Sequence, residues 1–261
     1  MSSDTDQRNL KKQDRHAQIL LELRLAPHVR VSDLAAMFGV TTETVRRDIA
    51  FLSAQGLAQK SHGGASPCAS GTYRVLDERQ RERLDERRRV AHKAASLVQG
   101  GQTLMIDAGS TAMEFARALC VFGTEVTVVT NSLQVAMILG TSAAAHVIMA
   151  PGRYLNEEAA LIGTETCAFL RRYHVDACYL GASALSDAGV SEAIAGFAAV
   201  KRTMLEQSSA QHFLIDGSKF GQRHLVNVAG IGEIGHLVTD RHPVGTLADV
   251  LEAQNIEIIL S

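Results

Sequence analysis

The apolar residues of the chain follow two different spacings, and the change falls between about residues 65 and 104. In the first part, Val45, Ile49 and Leu52 recur at i, i+4 and i+7, which is typical of one buried helix face. In the second part, short apolar runs alternate with helical stretches, and that alternation indicates βα units. The pattern therefore predicts a small helical domain followed by a larger α/β domain with a mostly parallel sheet.

Three helices and a hairpin are predicted in the first part. Residues 1 to about 12 have no apolar period and are expected to form a mobile arm. A first helix follows from about Asp14 to Arg24, and Pro27 ends it. Its predicted apolar side consists of Ala17, Ile19, Leu20, Leu21 and Leu23.

Ser32 and Thr41 are placed to cap the next two helices, because their hydroxyls can accept hydrogen bonds from the free N–H groups of a first turn. The second helix is predicted from about Asp33 to Phe38, and Gly39 ends it. Two short helices in this order, the second with one buried face, predict a helix-turn-helix.

The third helix is predicted to end at Gly56, and residues 57–64 then suggest a strand and a tight turn that form a wing. A guanidinium can reach phosphates or pair twice with a guanine edge, and hydroxyls can contact either. The predicted contacts to double-stranded DNA are Thr42, Thr44, Arg46, Arg47, Lys60 and His62. The alternative is a helical hairpin whose basic face contacts another protein.

The formal net charge of −2 conceals an uneven distribution. Residues 1–93 hold 17 Lys and Arg against 12 Asp and Glu, a net charge of +5, and residues 94–261 hold 9 against 16, a net charge of −7. Positive charge in the first part favours phosphate binding, although a solvated surface has the same composition.

A linker is predicted between the two parts. Residues 66–72 are rich in Ser, Pro and Gly, and residues 74–93 are dense in both charges, which indicates a charged helix. Its Arg87, Arg88 and Arg89 are either further phosphate contacts or a solvent-facing side of that helix. The predicted boundaries are 1–65 for the winged helix-turn-helix domain, 66–89 for the linker and charged helix, and 90–261 for the larger domain.

Seven apolar runs of the larger domain are predicted to be buried strands, at residues 104–107, 126–130, 146–150, 177–181, 212–216, 236–240 and 257–260. In a parallel sheet, ligands bind beyond the carboxyl ends of the strands. The residues that follow these runs are small, polar or charged, among them Asp107, Ala108, Gly109, Ser110, Thr111, Asn131, Ser132, Gly152, Arg153, Ser183, Asp216 and Lys219.

The stretch from Asp107 to Thr111 is the strongest candidate for a phosphate site. Its glycine lets backbone N–H groups approach an anion, its hydroxyls can donate, and a helix start supplies positive potential. Each such stretch taken alone is better explained as a turn with a helix cap. Five of them at one sheet edge favour a ligand site.

A glycine pattern later in the chain is not interpreted as a dinucleotide site. Gly230, Gly232 and Gly235 spell G-x-G-x-x-G, but an apolar run follows at once, where a dinucleotide site needs a helix. Cys68, Cys120, Cys167 and Cys178 form no C-x-x-C pair, so we expect no zinc site and no disulfide framework. We expect no metal and no cofactor.

The polar start and the lack of any run near 18 apolar residues indicate neither a secretory signal nor a membrane span. We therefore expect a cytoplasmic protein.

Nearly the whole chain from about Arg15 resembles the DeoR family of bacterial transcription regulators. In the first part the resemblance is carried by residues 31–65, with TVRRD at 44–48 and HGGA at 62–65. In the second part it is carried by DAGST at 107–111, VVTNS at 128–132, LGA at 180–182, VKR at 200–202 and DGSKFG at 216–221.

The resemblance implies a fold similar to ribose-5-phosphate isomerase for the larger domain, and a repressor whose DNA binding changes when a phosphorylated sugar binds. It adds Gly181 and Lys201 to the predicted effector-binding residues. Two positions depart from the family pattern. Pro151 stands before Gly152 where many members have a glycine pair, and Phe197 stands where many have an acid four residues before the lysine. Loss of that carboxylate puts the usual effector in doubt.

The sequence thus predicts a DNA-binding repressor of a carbohydrate catabolic operon, gated by a phosphorylated sugar and acting as a homodimer or homotetramer. The alternative is a sugar-phosphate isomerase or deaminase with a DNA-binding appendage. Its candidate proton-transfer groups are Asp107, Glu192 and Asp216. A third interpretation is a DNA-binding protein whose second domain binds no effector.

Overall fold

The computed structural model describes residues 12–25, 28–54, 58–61, 63–67, 76 and 83–261. The chain divides into two compact units between Tyr73 and Arg74. No helix of the described residues is long and apolar enough to cross a membrane.

The first unit is a winged helix-turn-helix. Its helices are α1 (Lys12–Leu25), α2 (Val31–Phe38) and α3 (Thr42–Ala54), and its strands are β1 (Val29–Arg30), β2 (Ala58–Ser61) and β3 (Gly64–Pro67). The strands form an antiparallel sheet in the order β1-β3-β2. Its core is formed by Ile19, Leu23, Val29, Val31, Leu34, Ala35, Phe38, Val45, Ile49, Leu52, Ala58 and Ala65.

The predicted apolar side of α1 is only half right. Ile19 and Leu23 are buried, whereas Ala17 and Leu21 are exposed. Because residues four apart share a helix face, the two pairs lie on different sides of α1, and only one side can face the core. Lys12 is helical, and the rest of the predicted arm, like Pro27 and Gly56, lies outside the described residues.

The prediction that Ser32 caps α2 is wrong. Helix α2 begins two residues earlier than predicted, with Arg30 at the N-cap position in extended conformation, and the Ser32 hydroxyl donates to Asp33. The Val31 N–H instead donates to the Gly63 carbonyl of the wing at 2.9 Å. A backbone carbonyl of the hairpin, and not a side chain, therefore accepts from the first N–H group of α2. Gly39 ends α2 with a φ of 63°, as predicted.

The Thr41 cap is confirmed, because the Thr44 N–H donates to the Thr41 hydroxyl at 3.2 Å.

A sheet of seven parallel strands forms the centre of the second unit as described. Its order is β15-β14-β12-β9-β4-β5-β6, and every neighbouring pair is parallel. The strands are β4 (Thr103–Ile106), β5 (Val126–Thr130), β6 (Ala145–Met149), β9 (Val175–Leu180), β12 (Ser208–Leu214), β14 (His236–Thr239) and β15 (Glu257–Leu260). All seven predicted strands are confirmed, with their ends shifted by up to four residues.

Helices cover both faces of this sheet. They are α4 (Leu84–Ala95), α5 (Ser110–Phe122), α6 (Leu133–Leu139), α7 (Thr164–Leu170), α8 (Ala195–Glu206) and α9 (Thr246–Ala253). Successive strand residues enter different cores: Leu104 and Ile106 pack with α4 and α5, and Met105 packs in the other core. This burial on both faces explains why the strands are continuous apolar runs.

Two small antiparallel sheets were not predicted. Strands β7 (Arg153–Leu155) and β8 (Ala160–Ile162) form one. Strands β10 (Ala184–Ser186), β11 (Gly189–Glu192) and β13 (Val226–Ala229) form the other. They are short, and the second joins segments that lie far apart in the sequence.

Candidate DNA-binding and effector-binding sites

Helix α3 separates an apolar face from a basic one. Val45, Ile49 and Leu52 are buried in the core, whereas the side chains of Arg46 and Arg47 are 63% and 80% exposed. Both guanidinium groups lie near the Glu43 carboxylate, with N···O distances of 3.7 and 3.5 Å. Ion pairs as exposed as these contribute little to stability. They are therefore accessible to an approaching nucleic acid.

The other predicted DNA contacts are less uniform. Thr42 and Lys60 are exposed, whereas Thr44 is half-buried with its hydroxyl 2.9 Å from that of Thr41. His62 lies outside the described residues. Thr44 thus also has a structural role at the start of α3.

Asp48 ties the basic helix to α1. Its carboxylate accepts from Arg15 Nε at 2.8 Å and lies 2.9 Å from His16 Nε2. Burial raises the pKa of Asp48, but the hydrogen bonds from Arg15 and His16 outweigh it and hold that pKa below its usual range. Sequence reasoning did not single out Asp48. The sequence does contain a signal for it, namely an acidic residue between Val45 and Ile49, two apolar positions of the same helix face.

The carboxyl end of the large sheet brings together three of the predicted effector-binding residues. Asp107 follows β4 and Gly181 follows the neighbouring strand β9, and the Gly181 N–H donates to both Asp107 oxygens at 3.2 Å. Lys201 extends from α8 to the same point, where its Nζ donates to Asp107 Oδ2 and to the Gly181 carbonyl at 2.7 Å.

Glu192 is the residue that sequence reasoning left out of the effector site. Its Oε1 lies 3.2 Å from Lys201 Nζ and accepts from the Ser183 N–H at 3.2 Å, while its Oε2 accepts from the Ser183 hydroxyl. We call Asp107, Glu192 and Lys201 the ion cluster. Burial lowers the pKa of Lys201, but attraction to the two carboxylates outweighs it and raises that pKa. Burial also raises the pKa of Asp107, and the attraction of Lys201 only partly opposes it.

The departure from the family pattern at Phe197, four residues before Lys201, has a structural reason. Its side chain is buried in the apolar core, where a carboxylate would be costly. Glu192, at the end of β11, supplies the second carboxylate near Lys201. Only the antiparallel pairing of β10 and β11, which the sequence did not reveal, brings it there.

The start of α5 has no side-chain cap. Gly109 is the N-cap residue with a φ of 147°, and having no side chain it cannot cap the helix. A Cβ atom built at Gly109 would meet no atom of the described residues within 4 Å. Ser110 and Thr111 lie in the first turn, and Ala108, like them, is largely buried. The sequence from Asp107 to Thr111 therefore forms an open helix start beside the ion cluster.

Asn131 and Ser132 have local structural roles. The Ser132 hydroxyl accepts from the Val135 N–H at 3.2 Å and caps α6. The Asn131 amide donates to the Leu161 carbonyl at 2.9 Å, which ties the β7–β8 hairpin to the end of β5. Asn131 Oδ1 is buried and has no hydrogen-bond partner in the structure.

Gly152 and Arg153 lie at the start of the β7–β8 hairpin. Gly152 has a φ of 150°, and a Cβ atom there would lie 2.0 Å from Thr166 Oγ1, so the backbone is packed closely. The Thr166 hydroxyl donates to the Pro151 carbonyl at 2.8 Å. Arg153 is exposed.

Asp216 and Lys219 form a tight turn after β12. The buried Asp216 carboxylate accepts from the Ser218 N–H at 3.0 Å, and the Lys219 N–H donates to the Asp216 carbonyl at 3.0 Å. The Lys219 side chain is partly exposed. Since β12 is the neighbour of β9, this turn lies at the same sheet edge as the ion cluster.

The G-x-G-x-x-G pattern has no dinucleotide geometry. Gly230 directly precedes a short 3₁₀ helix at Ile231–Glu233, Gly232 lies within that helix, and Gly235 leads directly into β14. In the part of the chain that the structure describes, no group of three or more His, Cys, Asp and Glu side chains is arranged to hold a metal ion.

Both units of the chain match models of known protein families. Residues 15–70 match the model of the DeoR-like helix-turn-helix domain, and residues 82–241 match that of the DeoR C terminal sensor domain. The chain is 30% identical over 252 residues to the glycerol-3-phosphate regulon repressor of Escherichia coli K12, covering 96% of this chain and 100% of that protein.

It is also 32% identical over 254 residues to a putative aga operon transcriptional repressor of Escherichia coli O157:H7, covering 95% of this chain and 93% of that protein. Among solved structures, ribose 5-phosphate isomerase A of Methanocaldococcus jannaschii is similar over 52% of this chain and 54% of its own, at 20% identity and a TM-score of 0.40. Two domain models of the DeoR family match this chain, and its relatives are similar along nearly its whole length. The chain therefore belongs to the DeoR family of DNA-binding transcriptional regulators.

Proposed function

We propose that this regulator represses a carbohydrate catabolic operon and that a phosphorylated sugar changes its affinity for DNA. The observation that carries the proposal is the uncapped start of α5 at Gly109. Backbone N–H groups of the first helical turn and the hydroxyls of Ser110 and Thr111 lie together there, and a Cβ atom at Gly109 would meet open space. The name of the glycerol-3-phosphate regulon repressor, a relative at 30% identity, supports a phosphorylated metabolite as the effector class.

In this proposal the phosphate binds at Ser110 and Thr111, with Lys219 adding a charge-assisted hydrogen bond. Lys201 does not bind the phosphate directly in this proposal, because its side chain is already paired with the Asp107 and Glu192 carboxylates. It belongs to the site as a member of the ion cluster. The remaining members of the proposed site, which lie just beyond the strand ends, are Ala108, Asn131, Ser132, Gly152, Arg153, Gly181 and Asp216.

The proposed division of labour follows the predicted boundaries. Residues 1–65 bind the operator through Thr42, Thr44, Arg46, Arg47, Lys60 and His62. Residues 66–89 connect this domain to residues 90–261, which bind the effector. Two-fold partners would double the contacts on a repeated half-site, so the regulator acts as a homodimer or homotetramer in the cytoplasm. The expected result from light scattering is a multiple of the chain mass.

Thermal-shift screening against phosphorylated sugars and polyols tests the effector class, because a ligand that binds only the native state raises its stability. The pocket is then tested with Ser110→Ala combined with Thr111→Val, and with Lys219→Ala. These variants should keep their operator affinity and lose the response to the metabolite found by screening. Ser96→Ala, which removes an exposed hydroxyl elsewhere, is the matched control.

Wild-type response in the pocket variants would show that the phosphate binds elsewhere. The same metabolites also test the enzyme alternative. Asp107 and Glu192 are already engaged by Lys201, so we propose binding without turnover. Conversion of ribose or hexosamine phosphates by the purified protein would contradict this.

A further inference from the structure

The hydrogen bonds of the ion cluster leave it able to accept but not to donate. An ammonium has three N–H donors, and those of Lys201 face Asp107, Glu192 and the Gly181 carbonyl. All three are therefore engaged inside the protein. A ligand anion at Lys201 would have to displace one of these buried partners, which is unfavourable.

The carboxylates, by contrast, have acceptor capacity to spare. Each carboxylate oxygen can accept about two hydrogen bonds. Glu192 Oε2 has the Ser183 hydroxyl as its donor, and Asp107 Oδ1 has the Gly181 N–H. By residue type, the ion cluster places two acidic side chains around one basic side chain. Its electrostatic preference is for hydrogen-bond donors and against anions.

Gly181, whose backbone contacts Asp107 and Lys201 of the ion cluster, borders open space. A Cβ atom built at Gly181 would meet no atom of the described residues within 4 Å, and Gly181, Ala182 and Ser183 are only partly buried. The open start of α5 follows Asp107 directly. A ligand with its phosphate at Ser110 would thus extend its other end toward Gly181 and Ser183.

We propose that Asp107, Glu192 and Ser183 select the non-phosphorylated end of the effector, accepting hydroxyl or amino groups and excluding carboxylates. This inference rests on the proposed function and names its effector class: polyol, sugar or amino-sugar phosphates, and not phosphorylated sugar acids. Glu192 is the specificity-determining residue. Without its charge, Asp107 and Lys201 would form a neutral pair with no preference against an anion.

The test is a binding comparison on the intact protein with matched ligands. Glycerol 3-phosphate is compared with 3-phosphoglycerate, and glucose 6-phosphate and glucosamine 6-phosphate are compared with 6-phosphogluconate, by thermal shift and by operator release. Whichever carbon skeleton binds, the acid should bind at least about tenfold more weakly than its neutral or amino counterpart, since like charges are costly at a desolvated site. Equal binding of acid and alcohol by the wild-type protein would overturn the inference.

Glu192→Gln is the decisive variant, because it removes the charge and keeps the shape. Its discrimination against the acid should fall by about tenfold or more. Glu233→Gln, which neutralises a half-exposed carboxylate paired with Arg202, is the matched control and should leave the ratio unchanged. A folded Glu192→Gln protein with the wild-type ratio would also overturn the inference.

Ser183→Ala serves where Glu192→Gln does not fold. It removes the hydroxyl donor to Glu192 without changing the charge, so the acid should still be excluded while binding of the neutral ligand weakens. Unchanged binding of the neutral ligand would count against the inference. Failure of the proposed function has a different signature, namely no response of the wild-type protein to any of these phosphates.

Discussion

Lys201 and Asp107 are separated by 94 positions in the sequence, yet they form a buried ion pair at the carboxyl end of the large sheet. Their side chains are only 3% and 1% exposed, and Glu192 lies 3.2 Å from the same ammonium. A charge buried so completely is tolerated only with its partners in place. The contact is therefore a structural requirement of the second unit, at the place where we propose that the effector binds.

Removal of Lys201 should be strongly destabilising. Lys201→Met leaves two buried carboxylates without their cation, and we expect a loss of about 3 to 5 kcal/mol in the free energy of unfolding. Urea denaturation followed by circular dichroism measures it. Arg202→Met, at the next position of α8 but 45% exposed, should cost less than about 1 kcal/mol. Similar losses in the two variants would contradict this account.

Arg47→Ala should weaken operator binding without unfolding the protein. The side chain is 80% exposed and packs in no core, so stability should stay within about 0.5 kcal/mol of wild type. Loss of a base contact should cost about 1 to 3 kcal/mol of binding free energy in gel-shift titrations at fixed salt. Arg172→Ala, in the second unit, is the control. Unchanged affinity of Arg47→Ala would show that α3 does not read DNA through this residue.

Asp48 should make the stability of the first unit sensitive to acid. Its folded pKa is lowered from 3.8, so its contribution is present above about pH 4 and is lost as the pH falls through the folded pKa. Asp48→Asn should reduce the protection of α1 and α3 amides at neutral pH and flatten this acid dependence, as measured by hydrogen exchange in the intact chain. Asp33→Asn, an exposed change on α2, should do neither. An unaltered acid profile in Asp48→Asn would exclude this role.

His212 should impose a second pH dependence, on the second unit. It is stacked between Tyr179 and His236, with ring centroids 4.6 and 4.4 Å away, and burial lowers its pKa from 6.5 to about 4. Between these values the unfolded chain binds a proton that the folded chain does not. Stability should therefore fall as the pH drops from about 6.5 to 4. His212→Phe keeps the stacking and should flatten that slope in urea titrations; His242→Phe, at an exposed position, should not.

The features predicted correctly from the sequence are those with a local cause. Helix α3 follows from the spacing of Val45, Ile49 and Leu52, and β5 from five apolar or β-branched residues in a row. The Ser32 cap was wrong because a backbone carbonyl from Gly63, more than thirty positions away, took the place of a side chain. No local pattern contains that information.

The candidate site was predicted only in part for the same reason. Asp107 and Gly109 are recognisable because they directly follow an apolar run at a helix start. Glu192 is not, since its role depends on the antiparallel strands β10 and β11 that bring it to Lys201. Asn131 and Ser132 look like ligand contacts in the sequence, and the structure gives them hydrogen bonds within the protein.

The strand order of the large sheet also bears on how the protein is made. Strand β4 lies between β5, which follows it closely, and β9, which the ribosome delivers some seventy residues later. The first unit needs only residues close together in the sequence, so it can fold while the second is still being synthesised. A chain interrupted before α8 would contain the DNA-binding helices and lack Lys201. Translation thus completes the DNA-binding part before the part that regulates it.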